Sequence, residues 1–159
     1  MSSDALDQLV TRLEAAGTDF GRIWGCVSPL AADIVEIRHV PPSPVLDGLR
    51  NRTDFVRYVE EEARVFPRSF RECRLGLKVE RHGNTVIWNP LSFSGPLATN
   101  GREVTIRFRV ELQFEDNRLH RINGSPTPEN SKSEIIEWLQ SVDSIGGFNP
   151  PAPMGGEKS

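Results

Sequence analysis

The sequence predicts an α+β fold, with helices gathered first and strands after, and three observations carry it. The N-terminal part repeats its apolar residues at i, i+3, i+4 and i+7, the spacing of an amphipathic helix. From Phe70 onward the period changes to two. In the clearest stretch, Val104, Ile106, Phe108, Val110, Leu112 and Phe114 hold every even position, with polar or charged residues between them. Strand side chains point alternately to opposite faces, so this stretch has one apolar and one charged face. Segregated helices and consecutive strands pack as helices against one face of a sheet.

Taken in order, Asp4 to Ala16 is a helix with Leu6, Leu9, Val10 and Leu13 on one side, Ser3 or Asp4 as N-cap and Gly17 as stop. Thr18-Asp19 caps a second helix through Phe20, Ile23, Trp24 and Val27, ended by Ser28-Pro29. Asp33 to Val40 is a strand, with Val35, Ile37 and His39 on one face and Ile34, Glu36 and Arg38 on the other; Pro41-Pro42-Ser43-Pro44 stops it. After a loop through Asp47-Gly48, Asn51 or Thr53 opens a third helix carrying Phe55, Tyr58, Val59, Glu62 and Phe66 along one side, closed by Pro67. Leu75, Leu77 and Val79 alternate in the next strand, His82-Gly83-Asn84 turns, and Thr85 to Phe93 returns. Asp116-Asn117 turns the long strand back through Leu119 to Ser125, and Ser131 to Val142 is a last helix. The expected domain is 4–145. Residues 146–159, rich in Gly, Pro and charge, read as a disordered tail.

Composition narrows the function. A length of 159 residues supports one core without staples. A net charge of −3 with both signs interspersed lacks the basic stripe of a nucleic-acid binder. Cys26 and Cys73 have no CxxC partner and no histidine at metal-ligand spacing, so they read as free thiols of a reducing compartment. No signal peptide and no membrane-spanning stretch is visible. The expectation is a cytoplasmic protein with no nucleic-acid or membrane partner.

The order of elements, the first strand, and Asn117-Arg118-Leu119 as a turn into the last strand resemble the NTF2-like superfamily, most of all its SnoaL-like and ketosteroid-isomerase-like branch. The resemblance spans about Asp4 to Ser125. It implies a cone: a curved antiparallel sheet wrapped around the N-terminal helices, enclosing a deep apolar pocket. It also implies acid/base chemistry without metal or organic cofactor on a hydrophobic, cyclic or aromatic small molecule, and a homodimer through the charged sheet face. Isomerase, cyclase, dehydratase and lyase all fit. A non-catalytic binding or dimerising accessory protein is the alternative, since fold does not fix chemistry.

Within that frame the general base falls at the end of the first strand, before a proline loop, which here is His39. An imidazole at an apolar cavity mouth can exchange protons near neutrality. His120 is the second candidate: the family's last strand would turn His120, Ile122 and Gly124 inward, while the opposite parity (Leu119, Arg121, Asn123, Ser125) stays open. Tyr58, the only tyrosine, could donate its hydroxyl to a substrate oxygen. Candidate pocket walls are Trp24, Trp88, Phe55, Phe108 and Val110, with Ile122 and Asn123 from the last strand. The chain departs from family patterns in three places. Gly124 stands where SnoaL-like cyclases carry an aspartate. Val86 to Asn89 lacks the Arg/Asp pair of the epoxide hydrolases, and the first helix lacks a tyrosine.

Overall fold

The structure is a computed structural model and describes residues 4–155. Helices α1 (Ala5–Ala16) and α2 (Phe20–Val27) lead into strand β1 (Ala31–His39). Strand β2 (Gly48–Asn51) and helix α3 (Arg52–Val65) follow, then β3 (Arg74–His82), β4 (Thr85–Pro96), β5 (Glu103–Glu115), β6 (Arg118–Pro126) and α4 (Lys132–Ser144). Each long helix begins on a side-chain cap: Asp4 accepts from Asp7 N–H, Asp19 from Arg22 N–H, Asn51 from Asp54 N–H and Ser131 from Glu134 N–H. Such a cap is worth about 1 kcal/mol to a helix end that otherwise leaves its first N–H groups unpaired. None of these helices is long and apolar enough to cross a membrane.

The six strands form one open sheet in the order β2-β1-β6-β5-β4-β3. The expected sheet is wholly antiparallel, but the observed one is mixed: β1 and β6 run parallel, with Ile37 beside Ile122 and His39 beside Gly124. A second difference is β2, which pairs antiparallel with β1 where sequence suggests only loop. It is four residues long with just one buried, too short to show a period. Register shifts in the β1–β6, β3–β4, β4–β5 and β5–β6 pairs mark bulges, which bend a sheet.

The concave face carries the core. Val104, Ile106, Val110, Leu112 and Phe114 of β5 are buried as the alternation predicts, against Leu6, Leu9 and Leu13 of α1, Ile23 and Trp24 of α2, and Phe55 and Val59 of α3. Outside, charges pair along and between strands: Arg121 Nε donates to Glu36 at 2.8 Å, Arg38 to Glu36 at 2.5 Å, and Arg109 contacts Glu111.

Beyond α4 the chain does not trail away. Residues 146–155 run back across the open end as a strap, contrary to the tail composition suggests there. Phe148 packs on Tyr58 and Phe66 with ring centroids 5.4 and 5.3 Å apart. Asn149 N–H donates to Glu61, and Met154 N–H donates to the Leu49 carbonyl of β2 at 2.7 Å. Gly48 has φ +141°, and a Cβ there would lie 2.7 Å from Cβ of Pro153, so the strap seats only on a glycine. Polar composition missed this because the anchoring is done by one phenylalanine and by backbone groups. The end of the expected tail, 156–159, lies outside the described residues.

Candidate active site

A cavity of about 310 Å³ opens between the concave face and the helices. Its walls are mainly apolar: Trp24 of α2, Phe66 after α3, Leu91 and Phe93 of β4, Phe108 and Val110 of β5, Ile122 of β6, and Trp138, Leu139 and Val142 of α4. Phe148 of the strap completes the wall. Helix α4 is fixed there because Trp138 Nε1 donates to Ser69 Oγ at 2.9 Å and Ser141 Oγ donates to the Ser69 carbonyl.

Among the described residues three ionisable side chains line this space: His39, Tyr58 and Glu62. His39 is the last residue of β1, where Val40-Pro41 carries the chain out of the sheet. Its Nδ1 lies 2.6 Å from Asp47 Oδ1, in the loop that follows. Asp47 Oδ2 accepts the Ser43 N–H at 3.1 Å, so the carboxylate bridges the loop and the imidazole. Partial burial opposes ionisation of Asp47, but the hydrogen bonds from His39 and Ser43 outweigh it and hold the carboxyl below its usual range. With Nδ1–H given to an ionised Asp47, the neutral imidazole keeps its lone pair on Nε2.

Tyr58 and Glu62 stand four residues apart on α3, hence on one helix face. The Tyr58 hydroxyl is buried and has no hydrogen-bond partner among the described residues. Burial first, then the nearby Glu62 carboxylate, pushes its pKa well above the ordinary phenol value, so it stays an O–H donor. Glu62 is partly buried at the cavity wall, with one carboxylate oxygen accepting from Trp24 Nε1 at 3.2 Å. Burial raises its pKa to about 8, although the indole N–H pulls the other way. At neutral pH it carries its proton.

His39, Tyr58, Trp24, Phe108, Val110 and Ile122 therefore share one cavity, and four other expected site residues do not. Trp88 and Phe55 are buried behind Trp24, with centroids 5.0 and 6.5 Å from it, and form core. Asn123 sits in register between Arg38 and Glu111, outside the lining. His120 is exposed on a separate surface groove with Asp33, Arg52 and Arg118. The cause is a bulge in β6: Leu112 pairs Ile122 and Gln113 pairs Arg121, but Phe114 pairs Leu119, leaving His120 as the extra residue. Counting back from Ile122 by twos points His120 inward, and the bulge turns it out.

Sequence reasoning also left Asp47 and Glu62 aside. Glu62 had a usable signal, an acid inside the otherwise apolar stripe Phe55, Tyr58, Val59, Phe66. Asp47 had none, because a loop has no period. Among the described residues, no group of three His, Cys, Asp or Glu side chains is placed to hold a metal ion.

No protein-family profile and no curated protein matches this sequence. Solved structures do. An NTF2-like protein from Burkholderia thailandensis E264 superposes with TM-score 0.58 at 16% identity, covering 88% of this chain and 99% of that one. An NTF2-like protein of unknown function from Burkholderia pseudomallei K96243 gives TM-score 0.55 at 18% identity, over 86% and 98%. A protein provisionally named a polyketide cyclase from Pseudomonas putida KT2440 gives 0.54 at 13% identity, over 86% and 98%. The chain has the NTF2-like fold.

Proposed function

We propose that this protein is an acid/base enzyme acting on an apolar, cyclic or aromatic small molecule that carries a carbonyl or comparable oxygen. The observation that carries this reading is the company His39 keeps. A carboxylate-oriented imidazole and two protonated O–H donors, Tyr58 and Glu62, line a single cavity that is otherwise apolar. His39 Nε2 would remove a proton from carbon beside the substrate carbonyl. The electron pair of that C–H bond moves onto the carbonyl oxygen, where Tyr58 and Glu62 donate to the oxyanion. The imidazolium then returns the proton at another position, or to a leaving hydroxyl. Isomerisation, cyclisation, dehydration and lysis share these first steps. The fold of the protein named as a polyketide cyclase supports the small-molecule reading.

Screening cyclic ketones and phenols for thermal stabilisation, then assaying the hits for turnover, tests this reading. Binding without turnover of any hit, with His39→Ala binding equally well, selects the rival function of a carrier. The glycine at 124, which leaves β6 without an acid, favours that rival. We further propose a cytoplasmic homodimer joined through the outer sheet face bearing Glu36, Arg109, Glu111 and Arg121; light scattering in solution tests the assembly.

A further inference from the structure

We propose that Arg50 is the positioning residue of this cavity: one buried guanidinium sets the loop carrying Asp47, the ring of Tyr58 and the C-terminal strap in a single arrangement. The proposal rests on the acid/base reading above. Arg50 lies on β2 and is fully buried. Its Nη1 donates to the Leu46 carbonyl at 2.8 Å, one residue before the partner of His39. Its Nε donates to the Pro151 carbonyl at 2.9 Å, three residues past Phe148. The guanidinium carbon stands 4.6 Å from the centroid of the Tyr58 ring.

Among the described residues no carboxylate forms a direct ion pair with this cation, although Asp54 and Asp47 stand near enough to favour its charge, and Nη2 has no partner. A buried, unpaired charge is expensive. A leucine or methionine would fill the same space at lower cost. What an apolar residue lacks is the planar fork, which fixes two backbone carbonyls from distant parts of the chain while stacking on an aromatic face. Those three contacts belong to the general base, the oxyanion donor and the cavity wall.

The test needs no substrate. Tyr58 is the only tyrosine, so phenolate absorbance titrates it alone, and three histidines keep imidazole ¹⁵N spectra simple. In the parent protein, His39 is expected to show the Nδ1–H tautomer and Tyr58 to resist ionisation beyond pH 10. Arg50→Met should mix the His39 tautomers and raise the Tyr58 midpoint further, because it removes a nearby cation that favours the phenolate. Phe148→Ala in the full-length protein keeps Arg50 and its Pro151 contact but removes the ring that covers Tyr58, so it should lower the Tyr58 midpoint while leaving the His39 pattern intact. Should Arg50→Met not fold, Arg50→Lys retains the charge without the fork and is expected to shift the His39 pattern in the same direction. An unchanged His39 pattern in the folded Arg50 variant overturns the proposal and makes Arg50 a core residue only. Loss of the acid/base reading would appear elsewhere, as unimpaired turnover in His39→Ala.

Discussion

Nδ1 of His39 lies 2.6 Å from Oδ1 of Asp47, whose other oxygen holds the Ser43 N–H. That pairing decides which imidazole nitrogen is free. Replacing His39 by alanine should cost turnover about a hundredfold or more. Asp47→Asn should cost less but still measurably, because an amide N–H facing Nδ1 favours the wrong tautomer. His120→Ala should leave turnover unchanged, since that side chain faces the opposite surface. Steady-state kinetics on a hit from the ligand screen checks all three, and full activity in His39→Ala would sink the assignment.

Glu62 gives a signature in stability. In the unfolded chain its carboxyl releases its proton near the model value of 4.5, and in the fold near 8. Between these values the folded state holds a proton the unfolded state has lost, so stability falls as pH rises from about 4.5 to 8 and the penalty is complete above. Glu62→Gln removes the titration. Its melting temperature should exceed the parent's by about 5 °C or more at pH 9, with the gain vanishing near pH 4.5. A gain independent of pH would refute the buried, protonated carboxyl.

Gly124 has room. A Cβ built there meets nothing nearer than His39 Cδ2 at 3.8 Å, an ordinary contact. Gly124→Ala should therefore melt within about 2 °C of the parent, and it should weaken ligand binding by narrowing the cavity beside the imidazole. Calorimetry and ligand titration give the two numbers.

Ser69→Ala tests the seat of α4. Removing the hydroxyl leaves the indole N–H of Trp138 unpaired in a buried position. A loss of about 1–3 kcal/mol is expected in urea denaturation. A neutral substitution would mean that Trp138 finds another acceptor.

The sequence made most of the fold legible because its signals are periodic. Val104 and Phe114 are both buried at the two ends of eleven strictly alternating residues, and Asp4, Asp19 and Asn51 cap the helices they precede. What escaped was aperiodic. The bulge at His120 reverses the reading of one strand, β2 is too short to have a period, and Asp47 reaches His39 from a loop. The site was half visible for the same reason: His39 and Tyr58 sit on regular elements, while their closest chemical partners depend on tertiary approach. Glu62 was in plain view on α3, and only its burial gives it chemistry.

The Met154–Leu49 hydrogen bond has a second consequence. Strand β2 is the end of the sheet, and its far side would otherwise offer a free backbone carbonyl to any extended chain that met it. Sheet edges of that kind recruit other strands. By laying its own C-terminal segment there, the protein occupies the position that a neighbouring molecule would take. Loss of 146–155 should then show first as concentration-dependent aggregation, before any change in helix content.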